Sequence, residues 1–174
     1  DTTAGGLARI DWLLVEKPDL VILELGANDG LRGVNPAWTK MNLDRIYKRI
    51  IATGARVLLT GMRASPSMGV DYETAFNAIF PALASAWNVT FYPFFLEGVA
   101  VKPAFTLPDG LHPNAKGVGV IVEGVGHEES RFGKRPGLVV EIEVIIRDSV
   151  PIADLALTIR TEESIEPTFN SEIP

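Results

Sequence analysis

The chain contains no cysteine. That absence removes disulfides, thiolate nucleophiles and cysteine-ligated zinc together, and it leaves the redox compartment open. Only two of the 174 residues are histidine, His112 and His127, so imidazole chemistry has few places to occur. Basic residues are in the minority, 16 Lys+Arg against 22 Asp+Glu, for a net charge of −6. A surface of that sign is a poor match for a polyphosphate backbone and argues against a nucleic-acid partner. No apolar run approaches the ~18 residues of a membrane-spanning helix. The first residues, "DTTAGGLARI", offer neither an initiator Met nor a basic start with an apolar run, so the chain is expected to begin inside a mature protein or a fragment.

What is present is 47% hydrophobic residues, which fits a globular chain long enough for one ordinary core. Leu7, Ile10, Leu13 and Leu14 have helical spacing after Gly5 and Gly6. Pro18 stops that helix, and "LVILELG" (20–26) follows as a near-continuous apolar run, the signature of a strand buried on both faces of a parallel sheet. The alternation repeats. A helix is expected over about 39–53, with Met41, Leu43, Ile46, Ile50 and Ile51 as its apolar set. "ARVLLTG" (55–61) is the next buried strand, 71–87 the next helix and "NVTFYP" (88–93) a third strand. Such alternation predicts a three-layer α/β fold with a mostly parallel sheet, whose ligand site lies beyond the carboxyl ends of the strands. That rule gathers three loops at the site: 26–38, 62–70 and 102–114.

Beyond about residue 125 the pattern changes. The stretch 126–137, "GHEESRFGKRPG", reads as a linker between a domain over 1–125 and a tail over 138–174. In "LVVEIEVIIR" (138–147), Val140, Ile142, Val144 and Ile146 fall on one face and Glu141, Glu143 and Arg147 on the other, as in a half-buried strand. Residues 151–163 read as a second strand or a short helix.

Two motifs carry chemistry. In "LELGANDG" (23–30), Asn28 and Asp29 follow a buried strand in a tight loop. An uncharged amide there can donate to an oxyanion, while the ordinary reading is an Asx-turn that serves only the backbone. In "PDGLHPN" (108–114), Asp109 can hold the Nδ1–H of His112 and leave Nε2 free as a base; otherwise His112 is a solvated turn residue. Asp29, Asp109 and His112 as metal ligands are a third reading, which lacks a further imidazole or carboxylate. His127 is expected to be a surface residue.

The order "ELGANDGLRG", then "PFF", then "DGLHPN" closely resembles the SGNH (GDSL) hydrolase family, in its bacterial thioesterase I, lysophospholipase and arylesterase branch. The likeness covers residues 1 to about 125. "FNAIFPALA" (76–84) and "PFFLEGV" (93–99) add to it. The resemblance implies a flavodoxin-like fold and hydrolysis of small acyl esters or thioesters through an acyl-enzyme. It implies no cofactor and no metal, and a periplasmic or secreted location. By it, His112 is the general base and then acid, Asp109 orients it, and Asn28 donates to the oxyanion. Gly26 keeps backbone room near the substrate, and Asp29 structures the loop or lines the site with Ser65 and Ser67.

The family nucleophile, the Ser of a Gly-Asp-Ser block, is not among the 174 residues, nor is the oxyanion Gly that precedes the segment matched by Asp1. Ser65 and Ser67 are the candidates for a substitute. A start without that block and an end unlike the family suggest a shifted or rearranged reading frame, an engineered chain, or a divergent fragment. The rival functions are an inactive remnant or acyl-binding pseudoenzyme, and a small-ligand module of flavodoxin type, which lacks a Gly-rich phosphate loop. Without the family's first strand, 20–26 would be an exposed apolar edge. Residues 138–147 are therefore expected to pair with it, within the chain or in a strand-exchanged homodimer, with Glu141, Glu143 and Arg147 facing solvent.

Overall fold

In the computed structural model, which describes residues 1–129 and two later strands, the apolar runs become the middle of a five-stranded sheet. Strand β1 (Leu20–Leu23) lies parallel to β2 (Arg56–Thr60), with Leu20 opposite Arg56 and Leu23 opposite Leu59. Strand β3 (Thr90–Tyr92) extends the sheet beyond β2, again parallel. Leu20, Leu58 and Leu59 are fully buried, and Ile22, Leu23 and Val57 nearly so. Burial on both faces explains why these runs show no polar alternation. Each such side chain removed from water contributes roughly 1.5–3 kcal/mol before the entropy of ordering it.

On the other edge of β1, β4 (Val139–Val144) pairs in parallel, with Leu20 opposite Val140 and Val21 opposite Glu141. Strand β5 (Leu155–Arg160) then runs antiparallel to β4. The expected pairing with 20–26 therefore occurs within one chain. The β4–β5 hairpin is thereby part of the same sheet, joined to it through β1. Arg147 lies outside the described residues, as do the side chains of Glu141 and Glu143.

Helix starts depart from the apolar spacing wherever a cap decides them. Helix α1 (Thr3–Leu13) begins well before Leu7, because the Thr2 side chain accepts from Gly5 N–H. After the short α2 (Ala27–Leu31), helix α3 (Pro36–Ala52) begins before Thr39. Asn35 caps it by accepting from Ala37 N–H at 2.9 Å, and Pro36 needs no N–H in the first turn. Its buried stripe is Thr39, Leu43, Ile46 and Ile50. Met41 and Ile51, expected on that stripe, are 43% and 45% exposed. The helix expected over 71–87 is two, α4 (Val70–Asn77) and α5 (Ile79–Trp87). The ring of Pro81 would collide with the Asn77 carbonyl in an unbroken helix, so the axis resets at Ala78. Helix α6 (Ala115–Glu129) continues four residues into the expected linker, carrying exposed His127, and the rest of that linker lies outside the described residues.

Candidate active site

The loops that leave the carboxyl ends of β1, β2 and β3 carry every residue singled out by the two motifs. The first loop turns at Gly26, whose φ of +112° is open to glycine and strained for other residues. Its Cα also faces Phe80 so closely that a Cβ would sit 3.1 Å from the ring. The space beside its Cα is taken up by Phe80 and Thr39, and Gly26 itself is buried. Asn28 follows one residue into α2, half-buried, and its side-chain amide has no hydrogen-bond partner among the described residues.

Asp29 points inward. It is 1% exposed, and its carboxylate accepts from Thr3 N–H at 2.8 Å, Thr3 Oγ1 at 2.5 Å and Thr39 Oγ1 at 3.0 Å. Its backbone carbonyl accepts from Val34 N–H and from the Tyr72 hydroxyl. Of the two roles expected for Asp29, structuring the loop agrees with this geometry; lining an open site does not, because the carboxylate faces the protein interior. Burial, and then the nearby Asp29 carboxylate, raise the Tyr72 pKa, which keeps the phenol protonated as a donor.

The third loop closes on itself. Leu107 N–H donates to His112 O at 2.7 Å, Gly110 N–H to Leu107 O at 2.9 Å, and Thr106 bridges Pro113. Gly110 takes φ +71°, as an Asp-Gly turn requires. Within that frame Asp109 Oδ1 accepts from Leu111 N–H at 2.9 Å and His112 N–H at 3.0 Å. Its Oδ2 lies 2.6 Å from His112 Nδ1. The His112 ring bond and these two backbone donors hold the Asp109 carboxyl down to about 2. An ionised carboxylate can only accept, so Nδ1 carries the hydrogen, and in the neutral ring Nε2 is then the acceptor. Asn114 anchors the loop by donating to Ala104 O and Thr106 O, and its Oδ1 caps α6 by accepting from Lys116 and Gly117 N–H.

Ser65 and Ser67 sit in the second loop, exposed, with their hydroxyls 2.8 Å apart. Ser65 caps the turn at Pro66–Met68, accepting from Ser67 N–H. Neither serine bonds His112 among the described residues. Asp29, Asp109 and His112 do not gather into a metal-binding group among the described residues.

A cavity of about 230 Å³ lies between α1 and β1, lined by residues including Trp12, Leu14, Pro18 and Glu24. Burial there pushes the half-buried Glu24 carboxyl up to about 7. Among the described residues no helix is long and apolar enough to cross a membrane.

The motifs alone did not reveal Thr3, Thr39, Asn42 or Tyr72. Thr39 had a signal. It stands four residues before Leu43 on the buried stripe of α3, where a polar residue needs a partner.

Residues 1–120 match the model of the GDSL-like lipase/acylhydrolase family. An arylesterase of Vibrio mimicus is 44% identical over 129 residues, which are 74% of this chain and 64% of the relative. Esterase TesA of Pseudomonas aeruginosa is 46% identical over 114 residues, 65% of this chain and 57% of the relative. Among solved structures, a TesA crystal structure superposes with a TM-score of 0.71 at 42% identity, covering 75% of this chain and 73% of that one. An esterase EstA from Pseudoalteromonas gives 0.72 at 32%, covering 76% and 73%. The aligned residues thus span between 57% and 64% of these two curated relatives. The fold is that of the SGNH hydrolases, and the chain belongs to the GDSL-like lipase/acylhydrolase family.

Proposed function

We propose that these residues form the acid–base half and one oxyanion donor of an ester or thioester hydrolase that acts on small acyl substrates. The observation that carries the proposal is the Asp109–His112 pair, with Nδ1 held at 2.6 Å and Nε2 left to work. In the proposed mechanism Nε2 removes the proton from a serine hydroxyl as its oxygen attacks the acyl carbon. The carbonyl oxygen becomes an oxyanion, to which the Asn28 amide donates. The C–O or C–S bond then breaks, and the imidazolium gives its proton to the departing alcohol or thiol. Water repeats the sequence on the acyl-enzyme and restores the serine. The carboxylate stabilises the imidazolium without taking its proton. Positioned general-base catalysis of this kind contributes about 10²–10⁴-fold. The serine is proposed to come from a Gly-Asp-Ser block outside the 174 residues.

The test is to isolate the natural polypeptide that carries these residues and assay it on p-nitrophenyl butyrate. Hydrolysis that disappears with a serine-reactive phosphonate and in His112→Ala is the expected result. Undiminished turnover in His112→Ala would sink the assignment, and a polypeptide that binds acyl chains without turnover would favour the pseudoenzyme.

A further inference from the structure

Asp29 and Asn28 are neighbours in sequence with opposite fates. Both carboxylate oxygens and the backbone carbonyl of Asp29 accept hydrogen bonds, whereas the Asn28 amide is unpartnered among the described residues. The three donors to the carboxylate are all uncharged: one backbone N–H and two hydroxyls. That N–H belongs to the first residue of α1, one of the groups a helix cannot satisfy internally, so the carboxylate sits where the helix field favours an anion. Thr3 Oγ1 in turn accepts from Asn42 Nδ2 at 3.1 Å. Residue 29 is thereby tied to α1 and to α3 by its side chain, and to α4 and Val34 by its carbonyl.

Apolar residues would hold α2 against α1 and α3 as firmly, because a buried charged network gains little net stability after desolvation. What a carboxylate adds is direction. Two oxygens with separate donors fix the rotation of the turn about its own axis, and so the direction in which the adjacent amide points. We propose that Asp29 is a positioning residue for Asn28: it holds the start of α2 in one orientation relative to the first turn of α1. The inference rests on the proposed oxyanion role of Asn28.

The experiment compares Asp29→Asn, Thr39→Val and Thr39→Ser in the natural polypeptide that carries these residues. Asparagine replaces one acceptor oxygen with a donor NH₂, so at least one of the three bonds is lost or reversed. Valine keeps the shape of Thr39 and removes its hydroxyl, and serine keeps the hydroxyl. Two quantities are read: the order of the Asn28 side-chain NH₂ by ¹⁵N relaxation, and kcat and KM on p-nitrophenyl butyrate. The expected result is a loss of Asn28 order in Asp29→Asn and Thr39→Val, with order kept in Thr39→Ser. With it, kcat should fall about tenfold or more while KM stays within about twofold, since a small misplacement of a transition-state donor costs that much. Folded variants with unchanged Asn28 order and kcat within about twofold of the parent overturn the proposal. If Asp29→Asn fails to fold, the Thr39 pair decides alone. If the parent itself shows no hydrolysis, the hydrolase reading fails, and unchanged Asn28 order would then separately overturn the positioning role.

Discussion

Asp29, in the short helix α2, and Asp109, in a turn, follow the carboxyl ends of strands in one sheet. Asp29 is 1% exposed and takes its side-chain bonds from residues 10 and 26 positions away. Asp109 is exposed and takes all three of its own from residues two and three positions ahead. The first carboxylate joins α2 to two other helices, whereas the second holds one ring and one turn. A carboxylate bound from afar belongs to the assembly of the fold. A carboxylate bound locally can be devoted to a single imidazole.

The comparison can be sharpened by four measurements. Neither turn supplies a nucleophile, so the largest effect belongs to the 174-residue chain expressed by itself. It should hydrolyse p-nitrophenyl acetate about 10⁶-fold more slowly than a family enzyme with its serine in place. Turnover of several per second, with a phosphonate label mapped to Ser65 or Ser67, would show instead that the second loop provides the nucleophile.

Next is the contrast between the two acids in a polypeptide that has activity. Asp109→Asn should lower kcat by about 10⁴-fold, because the amide favours the wrong imidazole tautomer, and leave thermal stability almost unchanged. Asp29→Asn should do the converse, with a smaller loss of kcat and about 1–3 kcal/mol of stability, a fall of several degrees in Tm. Calorimetry beside steady-state kinetics reads both. Equal effects of the two substitutions on Tm would erase the distinction drawn between them.

A smaller effect is expected at Gly110, which has φ +71° and open space around its Cα. Gly110→Ala should cost about 1 kcal/mol from backbone strain alone, measured by denaturant unfolding. A cost of several kcal/mol would mean that the third loop is tied to the rest of the molecule more tightly than its bonds indicate.

The smallest is a matter of pH. The Asp109 carboxyl is lowered to about 2 from an ordinary value of 3.8. Its contribution is therefore complete above about pH 4 and is lost as the pH falls through about 2. A carbon-detected titration of that carboxyl should show it ionised down to that range. A midpoint near 3.8 would separate Asp109 from its two backbone donors and from His112.

How much of this could be read from the chain divides along the same line. "DGLHPN" announces its own geometry, since Asp-Gly sets the turn, the acid reaches two backbone donors, and the imidazole follows three residues on. The strands β1, β2 and β3 were equally legible, because runs such as "LVIL" and "RVLLT" have no polar face to hide. The Thr3–Asp29–Thr39 network was not, because it is made between residues 3, 29 and 39, and no local spacing encodes such a meeting. Helices erred at their ends for a related reason. Apolar period locates the buried face, while Thr2, Asn35 and Pro81 decide where the helix starts or breaks.

The loop that carries His112 is fastened at its own base. Phe105 O accepts from Asn114 N–H, Thr106 bridges Pro113, and Leu107 N–H meets His112 O. A segment knotted off in this way is portable. The bonds that set its acid and imidazole against each other all lie within residues 109–112.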